Sequence, residues 1–137
     1  MNLEMMGANF VARSGDLLPL VCKGPQILKP IEYTLPVASA QVKSAILLAG
    51  LNAPGKTIIR EPSPTRDHTE RMLKQFGANI IVEANDKFEK TITLKGETEL
   101  IGQNIVVPGD PSSASFPLVA AILTQGSRIE IKNVGIN

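Results

Sequence analysis

Two stretches of the sequence, 39–49 and 113–123, resemble each other, and this internal repeat constrains the fold more than any other feature. The first reads Ser-Ala-Gln-Val-Lys-Ser-Ala-Ile-Leu-Leu-Ala, and the second reads Ser-Ala-Ser-Phe-Pro-Leu-Val-Ala-Ala-Ile-Leu. Each is followed by a glycine, Gly55 or Gly126, and then by a strand pattern. A repeat of this size is one supersecondary unit that cannot bury its own apolar faces, so several copies must pack together. We therefore expect an α/β fold with one full copy and parts of two others.

The order of elements follows from the hydrophobic periodicity and from the turn residues. Alternating or apolar runs predict strands at 17–22, 31–35, 56–60, 78–83, 88–94, 105–107 and 128–132. The sequence begins with what reads as the last turn of a helix, ended by Gly7. Three further helices are predicted to start at Ser39, at Ser63-Pro64 or Thr65, and at Ser112 or Ser113. The order from 31 to 94 is thus β-α-β-α-β-β, and the segment from 105 repeats its first half.

Each predicted helix has an apolar stripe with i, i+3, i+4 spacing. The stripes are Val42, Ala45, Ile46 and Ala49; Thr69, Met72, Leu73 and Phe76; and Phe116, Val119, Ala120 and Leu123. The first helix is apolar nearly all round, so we expect it to be buried on more than one side. Pro64 and Pro117 are each placed in a first turn, where a missing N–H is tolerated.

Composition excludes several classes of protein. Fourteen basic and thirteen acidic side chains nearly cancel, which argues against a nucleic-acid partner or an anionic membrane surface. The single cysteine, Cys22, sits in an apolar run and is expected to be a buried small hydrophobe in a reducing compartment. The first residues lack the pattern of a signal peptide, and the longest apolar run, 45–51, is too short for a membrane span. We expect a cytoplasmic protein, and both ends read as cut from a longer chain.

The helix starts are the candidate binding features. A helix N-terminus presents free N–H groups and a positive dipole end, so the Ser39 hydroxyl and the Ala40 N–H suit an anion; the alternative is an ordinary N-cap. Arg66 is placed in a first turn, where the dipole disfavours a cation, and a bound anion would explain it. The alternative is a solvated arginine paired with Asp67 or Glu70. Lys43 lies near the helix cap in angle and is a further candidate for the anion, but we expect it to point to solvent.

Other candidate groups are weaker. His68 follows Asp67, but no nucleophile spacing accompanies the pair, which favours a capping or inter-helix role for the histidine. Asp110 precedes a helix start and is predicted to cap it or to shape the turn. No glycine-rich phosphate loop and no metal-ligand spacing occurs in the sequence. The residues alone thus lead to an α/β repeat protein with anion-binding helix starts, and to no particular reaction.

Three longer motifs, 35–51, 61–73 and 107–116, resemble in order and spacing those of the 5-enolpyruvylshikimate-3-phosphate (EPSP) synthases. The resemblance extends over essentially all 137 residues. It implies the inside-out α/β barrel of the enolpyruvyl transferases, built from β-α-β-α-β-β units. Residues 1–30 would end a preceding unit, 31–107 would form the last unit of the first domain, and 108–137 would hold the linker and the start of the second.

The resemblance also implies a reaction, in which the enolpyruvyl group of phosphoenolpyruvate moves to the 5-hydroxyl of shikimate-3-phosphate without a metal or organic cofactor. Ser39, Ala40 and Arg66 would hold shikimate-3-phosphate, and Gln41 would lie between the two substrates. No catalytic residue is assigned within the 137 residues, so the remainder of the same polypeptide would supply the acid–base groups, and the chain alone is expected to be inactive. The alternatives are a UDP-N-acetylglucosamine enolpyruvyl transferase, a non-catalytic module that binds a phosphate ester, and a purely structural repeat protein.

Overall fold

The computed structural model describes residues 2–14, 17–87 and 89–136, and it divides into two units, Met1–Gln103 and Asn104–Asn137. The helices are α1 Asn2–Met5, α2 Ala40–Gly50, α3 His68–Gln75 and α4 Pro111–Leu123. The strands are β1 Asn9–Arg13, β2 Leu17–Lys23, β3 Glu32–Thr34, β4 Lys56–Glu61, β5 Asn79–Ala84 and β6 Lys90–Lys95. The predicted β-α-β-α-β-β order is confirmed as β3-α2-β4-α3-β5-β6. The residue at which we predicted the last of these strands to begin, Phe88, lies outside the described residues.

The described residues of the first unit form two sheets. Strands β1 and β2 form an antiparallel pair in which Phe10 faces Cys22. The other sheet has four strands in the order β3-β4-β6-β5. Strand β3 runs parallel to β4, whereas β6 pairs antiparallel with both β4 and β5. The α2 helix therefore connects two neighbouring parallel strands, which is a β-α-β crossover.

The core of this unit lies between one face of the four-stranded sheet and the helices α2 and α3. Its fully buried apolar members are Met6, Ile46, Leu47, Ala53, Ile59, Ile92 and Leu94. Within α2 the buried positions are Lys43, Ile46, Leu47 and Gly50. This stripe has the predicted spacing but is rotated by one residue from the predicted one. Gln41 and Leu48 are exposed, Leu48 by 47%, whereas the other positions of α2 are buried or half-buried.

At Gly96, just after β6, the backbone packs directly against the backbone at the end of α2. A Cβ at this position would lie 2.0 Å from the Ala53 carbonyl oxygen and 2.5 Å from that of Gly50. The Gly96 N–H also donates to the Gly55 carbonyl at 2.9 Å. No residue with a side chain fits here without moving the backbone.

The start of α3 differs from the prediction. The helix begins at His68 with Asp67 in the N-cap position, so Ser63 and Thr65 do not cap it and Pro64 lies outside it. The reason is that the N–H and the hydroxyl of Thr65 both donate to the Glu61 side chain, which holds 62–67 as a loop. The predicted stop at Gly77 is confirmed, since this glycine has a φ of 86°.

In the second unit, the N-cap of α4 is Asp110, which lies two or three residues before the predicted caps Ser112 and Ser113. The Asp110 carboxylate accepts from the N–H of Ser112 at 3.2 Å and from that of Ser113 at 2.9 Å. The capping role predicted for Asp110 is thereby confirmed, and those of Ser112 and Ser113 were wrong because their N–H groups are themselves capped. Pro117 consequently lies inside the helix and not in its first turn.

The predicted strands 105–107 and 128–132 do not form in the described part of the second unit. A single parallel bridge between Gly109 and Val134 joins the two flanks of α4. Alternation alone does not make a strand, because each strand needs a partner for its backbone groups. The bridge keeps the parallel direction expected of a β-α-β unit.

Two further observations concern exposure. Cys22 is exposed, as are all seven residues of β2, so the expectation that the thiol is buried was wrong. An apolar run in a two-stranded ribbon has no layer to cover it. Among the helices of the described residues, none is long and apolar enough to cross a membrane.

Candidate functional site

An open cleft of about 440 Å³ lies between the N-terminal part of α2 and the start of α3 with the loop before it. Its lining comprises Ala40, Gln41, Ser44, Ala45, Leu48, Arg66, His68 and Thr69. Three of the four predicted site residues, Ala40, Gln41 and Arg66, thus face one cavity. Ser39, the fourth, immediately precedes them at the helix start.

Ser39 has the geometry of an N-cap. Its φ of −137° is extended, and its Oγ accepts from the Val42 N–H at 3.3 Å while donating to Gln41 Oε1 at 3.5 Å. The N–H groups of Ala40 and Gln41 belong to the first turn of α2, where N–H groups have no intrahelical carbonyl acceptor. These donors and the dipole of an 11-residue helix make the end of the cleft electropositive.

Arg66 lies across the cleft in the loop that precedes α3, and its side chain is exposed. Within the described residues its guanidinium has no carboxylate partner. The two acids that were candidates are otherwise engaged, since Asp67 pairs with Arg71 at 2.9 Å and Glu70 pairs with Lys43 at 2.6 Å. The alternative that Arg66 is paired with Asp67 or Glu70 was therefore wrong.

A buried group of three charges, Lys43, Glu61 and Glu70, lies outside the cleft lining, and we call it the ionic cluster. Lys43 is fully buried and its Nζ lies 3.1 Å from Glu61 Oε1. Glu61 and Glu70 are 1% and 4% exposed. The Lys43–Glu70 contact lacks hydrogen-bond geometry and is purely ionic, and Glu70 Oε2 has no hydrogen-bond partner among the described residues.

The prediction that Lys43 points to solvent was wrong. A signal was present in the sequence, because Lys43, Ile46, Leu47 and Gly50 follow the i, i+3, i+4, i+7 spacing of a buried stripe. A lysine on such a stripe requires buried acids nearby. The acids come from β4 and α3, which are not adjacent to Lys43 in the sequence.

Two more contacts define the cleft. Ser44 Oγ and Thr69 Oγ1 lie 2.7 Å apart and join α2 to α3 across its floor. Burial raises the pKa of Asp67. The hydrogen bond and charge of Arg71, a backbone hydrogen bond and the charge of Lys90 lower it by more, so the pKa lies below its ordinary value. Asp67 is therefore a carboxylate at neutral pH, and this carboxylate is paired with Arg71.

His68 lines the cleft at the first position of α3, so it is not the N-cap; Asp67 occupies that position without a capping hydrogen bond from its side chain. No group of three or more His, Cys, Asp or Glu side chains that suits a metal ion occurs in the described residues. Among the described residues, the cleft combines hydrogen-bond donors and a guanidinium without a carboxylate partner with the apolar side chains of Ala45 and Leu48. Such a surface suits a compact anion attached to a less polar body.

Comparison with known proteins identifies the family of this chain. The family model of EPSP synthase (3-phosphoshikimate 1-carboxyvinyltransferase) matches residues 1–137. The 3-phosphoshikimate 1-carboxyvinyltransferase of Zymomonas mobilis is 58% identical over 135 residues, which are 98% of this chain and 30% of the relative. That of Novosphingobium aromaticivorans is 56% identical, with 98% and 31% covered.

Solved structures agree with the sequences. The EPSP synthase of Acinetobacter baumannii superposes with a TM-score of 0.74 at 49% identity, and the match covers 98% of this chain and 29% of that structure. The chain thus spans about 30% of the length of the curated relatives it matches. The likeness confirms the predicted fold class of the enolpyruvyl transferases. On the match of all its residues, the chain belongs to the EPSP synthase (3-phosphoshikimate 1-carboxyvinyltransferase) family.

Proposed function

We propose that this chain provides the shikimate-3-phosphate phosphate site of a cytoplasmic 3-phosphoshikimate 1-carboxyvinyltransferase. The observation that carries the proposal is the convergence of the α2 N-terminus and Arg66, a cation without a carboxylate partner in the described residues, on one cleft. The phosphate would accept from the Ser39 hydroxyl and the Ala40 N–H at one side. Arg66 would close it from the other side with a bidentate contact.

The remaining cleft residues suit the rest of the substrate. Gln41, one residue into the helix, would lie between shikimate-3-phosphate and phosphoenolpyruvate. Ala45 and Leu48 offer apolar surface to the carbon ring. The enolpyruvyl group of phosphoenolpyruvate would move to the 5-hydroxyl with release of phosphate, and neither a metal nor an organic cofactor enters the proposal.

The domain assignment is part of the proposal. Residues 1–30 would complete one repeat unit, 31–107 would form the last unit of the first domain, and 108–137 would enter the second domain. Proton transfer at the enolpyruvyl carbon would then depend on other parts of a longer polypeptide. We expect no measurable turnover from the 137-residue chain, assayed by phosphate release after purification from a host that lacks its own EPSP synthase. Turnover above background would contradict this assignment.

The binding test is an NMR titration of the ¹⁵N-labelled chain with shikimate-3-phosphate. We expect the amide signals of Ala40 and Gln41 to move, and shikimate without its phosphate to leave them unchanged. Arg66→Ala should raise the Kd about tenfold or more, because it removes a charge-assisted interaction of about 1.5–3 kcal/mol. Arg71→Ala is the matched control, since it deletes an exposed arginine from α3 outside the cleft.

Two outcomes would overturn the proposal. An unchanged Kd in Arg66→Ala would show that Arg66 does not hold the phosphate. Tighter binding of UDP-N-acetylglucosamine than of shikimate-3-phosphate at the same amides would transfer the site to the sister reaction.

A further inference from the structure

We infer that Glu61 is a positioning residue for the phosphate site, and that its buried carboxylate sets the loop conformation from which Arg66 reaches the cleft. The inference rests on the proposed function, because it assigns a purpose to the place of Arg66. It concerns a residue that lies outside the cleft lining and acts through Arg66.

The contacts of Glu61 are concentrated on one oxygen. Glu61 Oε1 accepts from the Thr65 N–H at 2.9 Å, from Thr65 Oγ1 at 2.5 Å and from Lys43 Nζ at 3.1 Å. Thr65 immediately precedes Arg66. The two donors of Thr65 therefore fix the backbone next to the arginine.

The loop has little else to fix it. Pro62 and Pro64 have no N–H to donate, and no backbone–backbone hydrogen bond involves 62–66 in the residues that the structure describes. A side-chain acceptor thus does the work that a carbonyl does in an ordinary turn. The acceptor is rigid because Glu61 is the last residue of the central strand β4 and is 1% exposed.

Lys43 holds the Glu61 carboxylate in turn, and Lys43 is itself paired with Glu70. Lys43 comes from α2, the helix whose N-terminus forms the other half of the phosphate site, and Glu70 comes from α3. One side chain thereby connects the helix start and the arginine loop. The distance between the two halves of the site is thus set by side chains that lie outside the cleft lining.

The alternative is that Glu61 only stabilises the fold. The two readings differ for Glu61→Gln, which loses the charge but keeps an oxygen acceptor for Thr65, and for Glu61→Ala, which loses both. A positioning role predicts that the amide variant retains binding and that the alanine variant loses it. It also predicts that the loss requires Arg66, since residues that act through one another are not additive.

The experiment is the same NMR titration with shikimate-3-phosphate, on the full 137-residue chain, in a double-mutant cycle. Glu61→Ala should raise the Kd about tenfold when Arg66 is present and by less than about twofold in the Arg66→Ala background. Glu61→Gln should stay within about threefold of the unsubstituted chain. The dispersion of the amide signals shows whether each variant is folded.

Thr65→Val decides the matter if Glu61→Ala does not fold. It removes one of the two donors and keeps the side-chain volume, and we expect a rise in Kd of about threefold that disappears in the Arg66→Ala background. Thr98→Val is its control, because the Thr98 hydroxyl donates to the Lys95 carbonyl and lies outside the cleft lining.

The inference would be overturned if Glu61→Ala raised the Kd by the same factor with and without Arg66. The same holds for Thr65→Val where that variant decides. An unchanged Kd in the deciding variant would overturn it too. Either result leaves the proposed function standing provided that Arg66→Ala itself weakens binding. An unaltered Kd in Arg66→Ala alone would instead refute the proposed function.

Discussion

Replacing Lys43 by methionine tests whether the ionic cluster stabilises the fold. The substitution keeps a long side chain but removes the only cation of a group whose two acids are almost completely buried. Glu61 would keep its two donors from Thr65, whereas Glu70 would keep no partner among the described residues. The variant therefore leaves two buried carboxylates near each other with nothing to neutralise them.

The expected cost is large. Breaking a buried ion pair by removing one partner destabilises a protein by about 3–5 kcal/mol, since the remaining charge is uncompensated. A domain of this size has a total stability of about 5–15 kcal/mol, so the loss is a substantial part of it. Neutralising the two acids as well removes the unpaired charge. The triple variant Lys43→Met, Glu61→Gln, Glu70→Gln should therefore have a free energy of unfolding within about 1 kcal/mol of that of the unsubstituted chain.

The assay is urea unfolding followed by far-ultraviolet circular dichroism at pH 7, with the free energy of unfolding taken from linear extrapolation. Lys74→Met is the control, because it makes the same replacement on the exposed surface of α3 and is expected to change stability by no more than about 0.5 kcal/mol. A loss below about 1 kcal/mol in Lys43→Met would refute the reasoning. A triple variant as unstable as the single one would do so too, since the cost would then not come from unpaired charge.

Three further predictions follow from local geometry. Gly96→Ala should destabilise the first unit by about 3 kcal/mol or more in urea unfolding, because its Cβ would overlap the Ala53 carbonyl, whereas Gly102→Ala, with nothing within 4 Å, should be tolerated. Asp67 has a lowered pKa, so its contribution to stability is present above pH 3.8 and is lost as the pH falls through the lower folded value; Asp67→Asn should flatten the acid side of a stability–pH curve, and an unchanged slope would contradict this. Pro117→Ala should slow amide exchange in 118–123, since proline in a helix interior costs about 3 kcal/mol relative to alanine, and unchanged exchange would show that α4 does not bear this cost.

Local sequence signals predicted the elements of the first unit well. The crossover from β3 through α2 to β4 and the hairpin of β5 and β6 depend on periodicity and turn residues that lie close together in the chain. The errors arose where a side chain competes with the backbone. Glu61 captures Thr65 and delays α3, and Asp110 captures two N–H groups and advances α4.

The candidate site was predicted only in part. Its helix start and its arginine follow from dipole arguments that need one short segment each, and the structure brings them to one cleft. The ionic cluster could not be predicted in this way, because it assembles residues from α2, β4 and α3. Strand pairing has the same non-local character, and the strands predicted at 105–107 and 128–132 were wrong for that reason.

The strand order β3-β4-β6-β5 has a consequence for synthesis of the chain on the ribosome. Strand β6 is made last, yet it lies between β4 and β5 and supplies the only partner of β5 in the described sheet. A nascent chain that has emerged only as far as Ala84 therefore carries β4 with one edge open and β5 unpaired. Vectorial folding of this sheet must wait for Lys95, and until then Ile80 and Ile59 stay available for wrong contacts or for a chaperone.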